Sequence, residues 1–236
     1  MRMLVSVRDV AEALAAAQAG ADFIDLKDPA LGALGGLGAE RIAPIVAALR
    51  AHHPALPISA TIGDLTPSQI DEALRRVAEV AACGVEYVKV GVGPGPGGQA
   101  LLAALASCEL HEAQVVPVLL ADAGVDMALV KAALALGAFP ALMLDTADKG
   151  AGSLIERLAP AALFGFVAAL RRNDCLSGLA GALRGVDVPA LREIAPDFAG
   201  FRSAVCHGPR DGKLDPVRVR ALRARLLHPV KFIPRA

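Results

Sequence analysis

The chain has 236 residues, 55% of them apolar and 20% charged, with 24 basic residues against 24 acidic ones. Zero net charge and only 3% aromatic residues argue against a nucleic-acid surface, and the apolar content excludes an extended disordered chain. No apolar run approaches ~18 residues without charge, Gly or Pro, so no membrane partner is expected. The first ten residues include Arg2, Arg8 and Asp9 in place of an apolar leader core, so a cytoplasmic protein is expected.

Short Val/Ile-rich runs alternate with Ala/Leu/Arg stretches of helical spacing. Residues 3–7 read as a first strand. A helix follows from Asp9, a good N-cap, to Gly20, a good C-terminal stop. Residues 23–27 form the second strand, and a Gly-rich connection over 30–38 leads to a helix ending near His52. The third strand covers 58–62. Its helix is expected to open at Thr66-Pro67-Ser68, where proline suits an early helical position, and to close near Cys83-Gly84. The fourth strand, 87–91, runs into a Gly/Pro-rich loop over 92–98. The fifth covers 115–120, with a helix over 126–136 stopped by Gly137. The sixth covers 141–144, followed by a polar segment over 145–153 and a helix over 160–172. The seventh spans 176–180 with a helix at 189–194. The eighth spans 200–204, and a last helix covers 216–227.

Eight strands, all but the fourth followed by an assigned helix, predict in this length a single α/β domain, a (β/α)8 TIM-type barrel, with residues 228–236 as a C-terminal tail. An open doubly wound sheet would more often carry a phosphate loop after its first strand, and Ser6-Val7-Arg8 offers none. Cys83, Cys108, Cys175 and Cys206 lie far apart and read as reduced thiols. The five histidines show no ligand spacing, so neither a metal nor another cofactor is called for.

Only six lysines stand against eighteen arginines, yet Lys27, Lys89 and Lys149 fall at or just beyond the ends of even-numbered strands. In a barrel those ends form one face, where active sites sit. A lysine can simply snorkel at a surface, but three at matching positions suggest convergence. A crowded or buried lysine has a depressed pKa, and its neutral amine attacks carbonyls. Asp25 precedes Lys27 by two, so both project to one face. Asp145 ends the sixth strand and is a candidate acid/base, since its polar loop does not at once become a helix. Asp64 and Asp122 also follow strands, where an aspartate can serve simply as a helix N-cap. After the seventh and eighth strands, Gly181, Arg202 and Ser203 occupy loops where barrels commonly hold phosphate. Glycine-rich turns also end strands for purely structural reasons. Together with the lysines they suggest a phosphorylated carbonyl substrate.

At these residues the chain resembles the family of (5-formylfuran-3-yl)methyl phosphate synthases of methanofuran biosynthesis. The likeness runs through Gly20–Pro29 (GADFIDLKDP), residues 59–64 (SATIGD), 87–91 (YVKVG), 143–149 (MLDTADK), 179–181 (LAG) and 201–206 (FRSAVC). The combination is specific where any single run is not. The sequence departs from the family's archaeal pattern after Cys206 and in the loop at 92–98. The resemblance implies a carbon–oxygen lyase joining two triose phosphates derived from glyceraldehyde 3-phosphate, with loss of phosphate and water. It carries catalytic roles onto Lys27, Lys89, Lys149 and Asp145, with Lys27 the preferred Schiff-base nucleophile and Lys149 the alternative. Asp25, Gly181, Arg202 and Ser203 are the expected substrate-binding residues. Other readings of the same residues are another Schiff-base aldolase or isomerase of a sugar or triose phosphate, or a non-catalytic sugar-phosphate sensor. Small-molecule triose phosphates are thus the expected partners, and the sequence is compatible with a homo-oligomer.

Overall fold

The computed structural model describes residues 1–66, 68–208 and 210–227. Eight parallel strands close into a barrel in the order β1 to β8, each strand pairing with its sequence neighbours and β8 with β1. The elements are β1 (Arg2–Val7), α1 (Val10–Gln18), β2 (Phe23–Leu26), α2 (Ala39–His52), β3 (Ile58–Thr61), α3 (Ile70–Ala81), β4 (Tyr87–Val92) and α4 (Pro96–Ala106). There follow β5 (Gln114–Leu120), α5 (Met127–Ala135), β6 (Ala141–Asp145), α6 (Leu154–Arg157), α7 (Pro160–Arg171), β7 (Leu176–Leu179), α8 (Val188–Ile194), β8 (Phe198–Phe201) and α9 (Pro216–Leu227).

Alternation along each strand sorts side chains between two layers. Met3, Val5 and Val7 face outward with Ile24, Leu26, Val88, Val90 and Leu144 into the large core under the helices. The helices present small or amphipathic faces to it. α3 is typical: Ala73, Val77 and Val80 are buried at helical spacing, while Asp71, Glu72, Arg75 and Glu79 stay outside. The inward layer is smaller and two-sided. Phe23, Val116, Val118, Met143, Ala180 and Phe198 fill part of the barrel, while buried Ser6, Asp25, Ser59, Thr61 and Lys89 make a polar sector on β1 to β4.

Several boundaries differ from the sequence reading. The 92–98 segment is mostly not a loop, and the helix it opens was not assigned from the sequence: α4 starts at Pro96, in the first-turn position where a missing N–H costs nothing. β8 begins two residues early, at Phe198, and ends at Phe201, because Arg202 leaves the sheet to bury its head against α1. α3 starts at Ile70 rather than at 66–68, and Thr66 instead closes a turn in which the Gln69 amide donates to its carbonyl at 3.0 Å. Pro67 and the tail 228–236 lie outside the described residues. The short α6, capped reciprocally by Ser153 and Glu156, falls between the expected polar segment at 145–153 and the expected helix at 160–172, where no element was assigned. Asp64 and Asp122 are not helix caps: Asp64 accepts from the Leu34 amide at 3.2 Å, and Asp122 staples the Ala147 and Asp148 amides. All four cysteines are free. Among the described residues, no helix is long and apolar enough to cross a membrane.

Candidate active site

At the C-terminal ends of the strands, one open pocket is lined by Lys27, Lys89, Lys149, Asp25 and Asp145, together with Gly181, Arg202 and Ser203. All eight residues singled out from the sequence therefore face one space.

Asp25 is the hub. Its carboxylate is fully buried; Oδ1 accepts from Ser59 Oγ at 2.8 Å and Lys89 Nζ at 2.9 Å. Oδ2 accepts from Ser6 Oγ at 3.0 Å and lies 4.0 Å from Lys27 Nζ. Strand register explains the geometry, because Ser6, Asp25 and Ser59 are paired neighbours across β1, β2 and β3. Burial alone would raise the Asp25 pKa, but the charges of Lys89 and Lys27 and the bonds from Lys89 and Ser59 overcome this and hold it below the usual range.

Lys27 follows β2 with its side chain only 8% exposed. Burial pulls its pKa down to about 8, helped by the like charges of Lys89 and Lys149 and opposed by Asp25 and Asp145. Asp145 ends β6 and is itself buried. It accepts from its neighbour's Thr146 amide at 2.7 Å and from Lys149 Nζ, one helical turn's worth of sequence further on. The two carboxylates thus each hold one lysine, Lys89 on Asp25 and Lys149 on Asp145, and Lys27 stands near both.

After β7 the chain turns through Gly181, at φ +107°, and Ala182, at φ +46°. A side chain at Gly181 would sit 3.0 Å from Thr146 Oγ1, and its carbonyl accepts from the Leu154 amide at 2.8 Å. The amides of Gly181, Ala182 and Leu183 donate to no other described residue. Successive open amides in such a turn form an anion-binding concavity. Thr146 Oγ1, buried against this turn, is likewise without a partner.

Arg202 behaves differently from the expectation that its head would bind substrate. Nη1 donates to Ser6 O at 3.1 Å and to Glu12, Nη2 to Glu12 at 3.2 Å and to Gly212 O at 2.8 Å, and Nε to Arg210 O at 2.8 Å. Every N–H of the guanidinium is committed within the protein, so its role is to hold the loop after β8. The residues missed from the sequence are Ser6, Ser59, Glu12 and Arg210. The serines were detectable as polar residues at alternate positions of otherwise apolar strands. Arg210, in an irregular loop, carried no such signal. No group of residues suited to hold a metal ion occurs among the described residues.

The 4-HFC-P synthase family model matches residues 3–223. The chain belongs to this family. Among 4-HFC-P synthase relatives, the (5-formylfuran-3-yl)methyl phosphate synthase of Archaeoglobus fulgidus is 30% identical, covering 91% of this chain and 94% of its own. A Methylorubrum extorquens protein provisionally given the same name is 39% identical over 100% of this chain and 94% of its own. Of solved structures, phosphoribosyl anthranilate isomerase from Thermus thermophilus superposes with a TM-score of 0.66 at 19% identity, covering 96% of this chain and 98% of that one. The 3-hexulose-6-phosphate synthase of Salmonella typhimurium gives 0.63 at 16% identity, with 96% and 99% covered. These two likenesses concern the barrel fold alone.

Proposed function

We propose that this 4-HFC-P synthase relative is a carbon–oxygen lyase that joins two triose phosphates derived from glyceraldehyde 3-phosphate, through a Schiff base on Lys27, into (5-formylfuran-3-yl)methyl phosphate. The observation that carries the reading is the buried Lys27 amine, brought down to about 8 among two carboxylates and two more lysines. At pH 7 roughly a tenth of such amines are neutral, several hundred times more than for a free lysine. Only the neutral amine attacks a carbonyl.

The chemistry then follows from position. Lys27 Nζ adds to the carbonyl of one triose phosphate, and water leaves as the iminium forms. The iminium draws in the electrons of the adjacent C–H bond, and the proton passes to Asp145, with Lys149 bonded to the same carboxylate as a relay. The resulting enamine carbon bonds to the aldehyde carbon of the second triose phosphate. Lys89, oriented by Asp25, offsets charge developing on oxygen. Elimination of one phosphate, closure by a hydroxyl and release of Lys27 give the aromatic furan. Two triose phosphates yield one furan aldehyde phosphate, one inorganic phosphate and two waters, a balance that needs no oxidant or reductant. The open amides at Gly181 to Leu183 suit the phosphate of the Lys27-bound molecule.

Borohydride reduction in the presence of glyceraldehyde 3-phosphate tests the reading. Mass spectrometry of the digested protein should find one reduced triose phosphate on Lys27 and none in Lys27→Arg. A stable adduct in Lys27→Arg, carried by Lys149, would reassign the nucleophile. Binding without any adduct would favour a sensor.

A further inference from the structure

Arg202 and Arg210 reach the same pocket from the loop after β8 and are used in opposite ways. Arg202 has no donor left, as described above. Arg210 is half-buried, and among the described residues only one of its five N–H groups has a partner, Nη2 donating to Gly32 O at 3.0 Å. Its Nε and Nη1 have no partner among the described residues.

The described residues of the loop that carries it lie outside helices and strands, apart from a bridge between Cys206 and Leu214, yet they are held carbonyl by carbonyl. Arg202 takes the carbonyls of Arg210 and Gly212, and Arg8 takes that of Asp211 at 2.6 Å. Arg202 is in turn fixed by buried Glu12 on α1. The loop is therefore pre-organised, and the one head it sends into the pocket is left with open donors. A latch to Gly32 O would need only one of its five N–H groups.

Charge points the same way. Lys89 faces Asp25, Lys149 faces Asp145, and Lys27 lies 4.0 Å from Asp25. Among the described residues, Arg210 is the one pocket-lining cation with no carboxylate within ion-pair distance. Its bond to Gly32 puts the head on the β2 side of the mouth, whereas the open-amide turn at Gly181 follows β7. A guanidinium fork matches the oxygens of a phosphate better than an ammonium does.

We propose that Arg210 is a substrate-binding residue whose guanidinium takes the phosphate of the second triose phosphate, while the Gly181 turn takes that of the first. This rests on the two-substrate reading of the same site. It makes Glu12 and Arg202 positioning residues for the second seat rather than contacts to substrate.

The test compares wild type, Arg210→Gln and Arg210→Lys by three readouts: the borohydride-trapped adduct on Lys27, the half-saturating triose phosphate concentration for furan formation, and the thermal midpoint. Arg210→Gln should trap the first triose phosphate as well as wild type and melt within a few degrees of it. Its half-saturating concentration should rise about 10–100-fold, the loss expected for charge-assisted hydrogen bonds. Arg210→Lys should recover part of that. A wild-type half-saturating concentration in Arg210→Gln would overturn the proposal. So would loss of the trapped adduct together with a large fall in thermal midpoint in both variants, which would mark a purely structural latch. Failure of wild type itself to form adduct or furan would instead sink the two-substrate reading, and this proposal with it.

Discussion

Asp25→Asn is the perturbation for which the structure gives the most detailed outcome. Asparagine keeps the shape and one acceptor oxygen for Ser6 or Ser59 but removes the charge that faces Lys89 at 2.9 Å and Lys27 at 4.0 Å. Breaking a buried ion pair from one side typically costs about 3–5 kcal/mol, because the other charge is left uncompensated. The two lysines contribute unequally. Lys27 already titrates near 8, so it escapes by losing its proton; at pH 7 its part of the penalty is limited to one pH unit, about 1.4 kcal/mol. The sign follows from linkage. The folded pKa of Lys27 lies below its unfolded value of 10.5, so the unfolded chain binds more protons between about 8 and 10.5, and stability rises with pH across that window. Loss of Asp25 extends the window downward. Lys27's share of the penalty should therefore be present at pH 7 and gone by pH 9. For a chain of this size, about 2–4 °C per kcal/mol gives a fall in thermal midpoint of about 6–20 °C at pH 7, and a smaller fall at pH 9. Thermal unfolding followed by circular dichroism at both pH values measures this. An unchanged midpoint at pH 7, or a gap that widens at pH 9, would refute the hub role of Asp25.

Three further outcomes follow from the same geometry. The rate of imine formation on Lys27 should climb about tenfold per pH unit up to pH 7 and level off above about 8, as the amine becomes neutral; rapid-quench trapping across pH 6–10 reads this, and a profile still rising at pH 10 would count against a lowered pKa. Gly181→Ala forces a side chain onto a φ of +107° and against Thr146 Oγ1 at 3.0 Å, so it should cost about 1–3 kcal/mol and weaken competition by inorganic phosphate. Arg202→Met takes from buried Glu12 its closer guanidinium and leaves it only Arg8 Nε at 3.6 Å, so it should cost up to about 3–5 kcal/mol, whereas adding Glu12→Gln should recover part of it; a double variant no more stable than the single one would argue against the pairing.

The barrel was legible because the strongest signal in a sequence, the period of its apolar residues, repeats eight times here. Boundaries failed where that signal is ambiguous. α4 opens with Pro96-Gly97-Gly98, which reads as loop by composition although the Ala/Leu run behind it is helical. At β8 apolar residues resume at Ala204 and Val205, so Arg202 and Ser203 read as polar positions within a longer strand although the strand ends just before them. The lysines and carboxylates of the pocket were visible because their types are unusual at strand ends. What stayed hidden depends on long-range pairing. Glu12 looks like an ordinary first-turn acid on an exposed face, yet it is buried under an arginine 190 residues away. That same contact decides that Arg202 holds the loop and leaves Arg210 open.

A synthase is read most simply through its products. The protein should be incubated with glyceraldehyde 3-phosphate alone, with mass spectrometry for the furan aldehyde phosphate and a parallel assay of released phosphate. The account requires both products to appear in equal amounts, each pair drawn from two triose phosphates, and neither to appear with Lys27→Arg. Consumption of substrate with no furan and no phosphate would contradict it and point to an aldolase or isomerase on the same barrel.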